Sequence, residues 1–433
     1  MQITTQKLQS HSARLVNPDL SLDRIAVICC ALLFFVMGRF QLTDMLGLKR
    51  IFEGLLFIPI SVYAIFRIRD LSFKKHVNGL LIVVLITLVT KAIYGEYLKV
   101  FDNFFALTAL YAILSAPKHH VIAGIKSIII LDTFFSLIAL LQLIILILFP
   151  DLTINTQLAL LDSGIWTTIS ETQGAVVVSS FHPIAFLGLM TSDQLNVFGI
   201  QVARMRSFVS EPSLLVIFFM LPAVMGFFLK MKFWTNCSLI ILLFCLLSIS
   251  GSVQVCIIFA GLFFLLSSFF PTRFLFIWTP LAGMAVMLFI MITLGLDLFT
   301  NFDMNLSQSE NTNFLAKGNS LVTRGNGLIF GANEALRSPF GSQFGHELPL
   351  SVFLSVILNA GWIGAILLLI FFSKLITRIS LMRKIDHSLV SKIGISILFG
   401  IICTIFLFND YAVLNYTGLV LFTFLYRQLE IEK

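Results

Sequence analysis

Apolar runs recur almost end to end along this 433-residue chain, and their spacing is uneven. Twelve runs stand out, at 25–38, 51–66, 77–93, 100–115, 121–149, 213–229, 234–250, 253–270, 274–297, 350–373, 393–408 and 411–426. A helix of about 20 apolar residues crosses a bilayer core. A lone strand could not satisfy its backbone groups in lipid, so helix is the predicted element for each run. Two connecting stretches are far longer than the rest, 150–212 and 298–349. Both hold arginines in a charge-poor chain, and a simple transporter needs only short connectors. Chemistry or recognition is therefore expected in these two loops.

Composition sharpens this picture. Hydrophobic residues make up 58% of the chain and charged residues 12%, with a mean hydropathy of +0.98. That excludes an ordinary soluble domain, in which roughly a quarter of residues are charged. No soluble domain fits between the runs, so residues 1–433 read as a single all-α polytopic membrane domain. No cleavable leader is expected, because residues 1–24 are polar and mixed and the first run lacks a small-residue cleavage site. The six cysteines, at 29, 30, 237, 245, 256 and 403, all lie in apolar runs without CxxC or zinc spacing. They read as small buried side chains, with no metal site implied.

The formal charge of +7 reports topology rather than nucleic acid. With the N-terminus in the cytoplasm, the inner segments collect 19 of the 29 basic residues, among them Arg67, Lys118, Lys230, Arg273, Arg378, Arg383, Lys384 and Arg427. Both termini are then expected in the cytoplasm and both long loops on the other side, the periplasm of a double-membrane bacterium. Within or beside the runs, Glu53, Lys91, Asp102 and Asp132 are costly in lipid. They are expected to face the bundle or water, pairing with one another or lining a cleft.

In the first loop, Ala175–Val178 and Ile184–Met190 are apolar patches flanking Phe181-His182-Pro183, which predicts short helices or re-entrant pieces against the membrane. The loop ends in Arg204-Met205-Arg206, and Glu211-Pro212-Ser213 opens the next run. Proline is harmless in a first helical turn, and a carboxylate there sits well on the helix dipole. In the second loop, Val322, Leu328, Ile329, Ala332 and Leu336 recur at three-to-four spacing, which predicts an amphipathic surface helix ending at Ser338-Pro339-Phe340-Gly341. Arginine offers a planar fork of donors that matches phosphate and stays charged. Arg204, Arg206, Arg324 and Arg337 could therefore converge on a pyrophosphate, or serve as solvated charges and headgroup anchors. Glu211 and His346 are the titratable groups at that surface able to accept a hydroxyl proton. Glu211 reads equally well as a helix N-terminal charge or an ion-pair partner of Arg206, and His346 as a loop histidine. Ser250, Ser252 and Gln254 are expected to cap helix ends at a tight turn.

At three places the chain resembles the bacterial O-antigen polymerase family, related to the O-antigen ligases. The first is Arg206-Ser207-Phe208-Val209-Ser210-Glu211-Pro212-Ser213. The second is the serine-rich turn Ser248-Ile249-Ser250-Gly251-Ser252. The third is Arg324 to Gly341, followed by Asn359-Ala360-Gly361-Trp362-Ile363-Gly364. The resemblance implies an enzyme of the inner membrane that joins undecaprenyl-pyrophosphate-linked oligosaccharide repeats on the periplasmic face. It implies no cofactor and no obligatory metal, with membrane lipid and a chain-length regulator protein as partners. By the same resemblance, Arg206 and Arg324 hold the carrier's pyrophosphate, with Arg337 as a less regular third. Ligases place a His-Asn pair shortly before the glycine-rich turn, where this chain has Leu350 and Ser351. That disfavours a ligase and leaves the general base unassigned, with Glu211 and His346 as the candidates. A lipid-linked oligosaccharide flippase is the rival from another class; short, even loops and charges buried in the bundle are expected of it.

Overall fold

A computed structural model describes residues 22–37, 49–69, 79–148, 180–181, 190–191, 194–197, 200–203, 214–248, 250–280, 335–341, 352–408 and 416–430. The described chain is almost entirely helical, and each predicted run carries a helix. They are α1 (Leu22–Met37), α2 (Lys49–Arg69), α3 (Gly79–Ile93), α4 (Tyr97–Ser115) and α5 (Lys118–Leu148). After the first long loop come α6 (Leu221–Phe228), α7 (Lys232–Leu247), α8 (Gly251–Leu266) and α9 (272–280). The chain closes with α10 (Val352–Ile385), α11 (Leu389–Phe408) and α12 (Tyr416–Gln428). Among the described residues, three helical stretches are long and apolar enough to cross a membrane alone: Lys118–Leu141, Leu354–Ile385 and Leu389–Phe406. Several shorter apolar helices accompany them.

The core forms around α6. Every residue of Leu221–Phe228 is buried, as is the π-helical turn Val216–Met220 before it. A helix that is apolar all round must be enclosed on every side, and α5, α7, α11 and α12 all pack against this one. The π-turn has a local cause. Pro222 has no N–H to give, and its ring would strike the carbonyl four residues back, so the preceding turn widens. The most extensive helix pair is α8 with α11. Gly400 makes it possible, because a Cβ there would overlap the Cys256 carbonyl. Gly400→Ala is expected to force the two backbones apart and cost about 1–3 kcal/mol, read as a lower unfolding temperature in detergent. An unchanged melting temperature would show that α8 and α11 can separate freely.

One end of the bundle is tied by several groups of polar contacts. Asp23 of α1 accepts from Arg67 of α2 at 2.8 Å, and Ser115 of α4 donates to the Tyr63 hydroxyl at 3.4 Å. Lys118 donates to the Glu430 carbonyl at 2.6 Å, and Arg427 to the Ala116 carbonyl at 2.6 Å. Glu430 also pairs with Arg427 and Arg378, and Arg378 stacks on Tyr426 at 3.6 Å. Gln428 reaches the Met225 carbonyl, and Lys230 pairs with Asp386 at 3.0 Å. Arg383 donates to Thr272 and to the Ser267 carbonyl. The backbone N–H of Ser388, then Lys230, holds the Asp386 carboxyl down at about 2. This contribution is complete above the ordinary carboxylate range near pH ~4 and is lost only as pH falls through about 2. The described cations in these contacts, all grouped by the charge rule, thus share one end. The end of α5 and the starts of α6 and α10, which flank the two long loops, lie at the other.

Short helices or re-entrant pieces were expected at the apolar patches of the first loop; the loop's described residues form two antiparallel ribbons. Ser180–Phe181 (β1) pairs with Met190–Thr191 (β2), and Gln194–Val197 (β3) with Ile200–Ala203 (β4). The register explains the second ribbon: Leu195 faces Val202, Val197 faces Ile200, and Asn196 faces Gln201. That is a period of two, not of three to four. The apolar patches at 175–178 and 184–189 lie outside the described residues. One sequence expectation is corrected, at Ser250. It occupies the N-cap of α8, but its side chain makes no capping hydrogen bond.

Candidate functional site

The end opposite the basic belt holds a built junction. α10 breaks at Gly361, where φ is 68° and ψ is −179°, so Val352–Ala360 and the rest of the helix are separate pieces. Such a φ is costly for any residue with a Cβ. The break frees backbone groups, and the turn 338–341 is seated against them. The Trp362 N–H donates to the Pro339 carbonyl at 3.1 Å, and its indole N–H to the Ala335 carbonyl at 3.1 Å. A Cβ on Gly361 would lie 2.6 Å from the Pro339 oxygen. On its other side, the turn meets the end of α3: the Tyr94 hydroxyl donates to the Gly341 carbonyl at 3.2 Å.

An ion pair closes the same end of α3. The Lys91 ammonium stands 3.2 Å from the Glu96 carboxylate, and the Lys91 side chain is fully enclosed while Glu96 retains 20% exposure. The turn Tyr94-Gly95-Glu96 brings the carboxylate back over the end of α3. Its backbone closes with the Glu96 N–H donating to the Lys91 carbonyl at 3.0 Å. The charged residue predicted to face the bundle does so, with a partner five residues along the chain. Of the others, Glu53 on α2 and Asp132 on α5 are buried, and Asp102 on α4 is half-buried.

Of the six site residues expected from sequence, the structure places Arg337. It is exposed at the close of the short helical turn 335–337, immediately before the seated turn, while neighbouring Ala335 is buried. Arg204, Arg206, Glu211, Arg324 and His346 lie outside the described residues, so their convergence remains an expectation. His182 lies outside them as well. Sequence reasoning did not single out Tyr94, Glu96 or Trp362 as part of this junction. The available signal was a lysine closing an apolar run, with a tyrosine, a glycine and a glutamate directly after it.

Two further features bear on chemistry. An apolar cavity of about 400 Å³ opens between α2, α3 and α4, lined by Ser61, Ile65, Leu85, Phe104, Leu107 and Tyr111. Among the described residues, no group of three or more His, Cys, Asp or Glu could hold a metal ion, and all six cysteines are buried and unbridged. Comparison with family models, with curated proteins and with solved structures finds no match for this chain.

Proposed function

We propose that this protein is a polysaccharide polymerase of the bacterial inner membrane, joining oligosaccharide repeats carried on undecaprenyl pyrophosphate at the periplasmic surface. The observation that carries this reading is the seating of Pro339-Phe340-Gly341 in the Gly361–Trp362 break. These are two separate pieces of the motif set that resembles the O-antigen polymerases. Their contact anchors the arginine-bearing second loop at the end of the bundle away from the basic belt, with Arg337 exposed at its edge. The charge rule assigns that end to the periplasm and both termini to the cytoplasm. The apolar cavity between α2, α3 and α4 offers a prenyl chain a place against the bundle.

The chemistry is a displacement at the anomeric carbon of the growing chain. The hydroxyl at the non-reducing end of an incoming repeat forms the new C–O bond. The bond to the pyrophosphate breaks, and undecaprenyl pyrophosphate leaves. Arg206 and Arg324, with Arg337, stabilise the charge that develops on the departing pyrophosphate, the role for which a preorganised cation is most effective. Glu211 or His346 takes the hydroxyl proton.

Deleting the gene and separating the surface polysaccharide on a gel tests the class. Loss of the long ladder with one repeat retained supports a polymerase; loss of every repeat points to a flippase or ligase. Arg206→Ala and Arg324→Ala are expected to abolish chain extension while the protein still reaches the membrane. Lysine at either position keeps the charge but loses the fork, and is expected to leave a small fraction of activity. Normal ladders from both alanine variants would sink the pyrophosphate assignment. The flippase reading draws on one specific observation: Glu53, Lys91 and Asp132 are all buried inside the bundle.

A further inference from the structure

The basic end of the bundle holds a cavity that the proposed chemistry does not use. It measures about 500 Å³ and lies between the α8–α9 turn and the last turns of α10. Its lining includes Thr272, Arg273, Arg383, Lys384 and His387, with no carboxylate among the lining residues. Arg383 is fixed there by Thr272 and the Ser267 carbonyl. Arg273 and Lys384 are exposed at the rim, and no partner for either is found among the described residues. The nearest acid along the chain, Asp386, is already committed to Lys230 and to the Ser388 N–H at 2.9 Å.

The wall beside these cations is aromatic. Phe270, Phe274 and Trp278 follow one another at helical spacing, with Phe270 stacked on Phe274 at 5.8 Å and Phe274 beside Trp278 at 6.1 Å. All three are exposed, Trp278 at 57%, and Phe269 at the turn is 81% exposed. The arrangement is a cationic recess at one end of the bundle, with an exposed apolar stripe running from it along α9.

We propose that this cavity binds the phosphate headgroup of an anionic phospholipid, whose acyl chains lie along the Phe270–Phe274–Trp278 stripe. A recess with several cations and no acid is complementary to a phosphodiester. The apolar stripe selects a lipid over a soluble phosphate, which would leave it uncovered. Basic pockets at the cytoplasmic ends of membrane helices take anionic headgroups for the same reason.

The test uses the full chain in nanodiscs of phosphatidylcholine with a minor share of phosphatidylglycerol. Native mass spectrometry counts the lipids that stay bound. The wild type is expected to retain phosphatidylglycerol over phosphatidylcholine. Each surface cation contributes roughly five-fold, so Arg273→Gln with Lys384→Gln is expected to weaken retention about twenty-five-fold. The swap Arg273→Lys with Lys384→Arg is expected to keep it, which separates lost charge from lost folding. Lys232→Gln with Lys374→Gln removes the same charge from exposed positions elsewhere and is expected to leave retention intact. Equal retention by wild type and the site double variant would overturn the proposal, as would an equal loss from the control pair. Protection from thermal unfolding by inorganic phosphate as strong as that by phosphatidylglycerol would overturn it too, by showing a soluble anion site.

Discussion

Gly361→Ala is expected to unseat the 338–341 turn and to abolish chain extension. Two costs act together. The backbone at this position has φ of 68°, which disfavours a residue with a Cβ by about 1–2 kcal/mol. The new methyl would also stand 2.6 Å from the Pro339 carbonyl oxygen, with Phe340 backbone atoms 3.0 Å away. Both neighbours are main chain, so neither can rotate aside. Relief requires either straightening α10 or lifting the turn. Both break the Trp362 N–H bond to Pro339 and disturb the seat of the turn that Tyr94 fastens to α3. The expected result is a fall in unfolding temperature equivalent to about 2 kcal/mol or more, together with loss of the long polysaccharide ladder. A variant with wild-type stability and a normal ladder would show that the helix break has no part in the function.

The Lys91–Glu96 pair carries the second large effect. Lys91→Met keeps an unbranched apolar stem but removes the ammonium that pairs with the Glu96 carboxylate. Removing one partner of a fully buried pair costs about 3–5 kcal/mol. Glu96 keeps 20% of its surface in contact with solvent, so hydration offsets part of that, and about 2 kcal/mol is expected. Lys91→Met with Glu96→Gln removes both charges and is expected to recover most of the loss. A double-mutant cycle on unfolding temperature in detergent reads this coupling directly. If the double variant is as unstable as Lys91→Met alone, the two charges do not act as a pair, and the end of α3 is held by packing.

The helices themselves were largely legible in the chain. Among the described residues each apolar run carries a helix; α6 starts later than its run, after the π-helical turn, and the run 274–297 is described only as far as residue 280. Apolar content drops after residue 373, where Lys374, Arg378, Arg383 and Lys384 begin, yet α10 continues to Ile385. The piece after the Gly361 break, residues 362–385, is about 36 Å long at ~1.5 Å per residue, beyond the ~30 Å of a hydrocarbon core. Long basic side chains tolerate that continuation because their ends find carbonyls and carboxylates on neighbouring helices, as Arg378 does at Tyr426 and Glu430. The ribbon of β3 and β4 was legible too, in the polar–apolar alternation of Gln194 to Val197.

The sequence by itself determined that this is a helical protein with apolar segments suited to a membrane, and which cations belong together. Both follow from local properties: the length of an apolar run and the sign of the charges at its ends. Only the tertiary structure decided that a turn from the second long loop fills the break at Gly361. The same holds for Tyr94 fastening that turn to α3, for the lysine closing the third run being neutralised by Glu96, and for the recess beside Arg273. Each of these rests on contacts between chain segments that meet only once the bundle packs. A glycine at a helix break has no signature in composition or periodicity; its meaning comes from the backbone that presses against it.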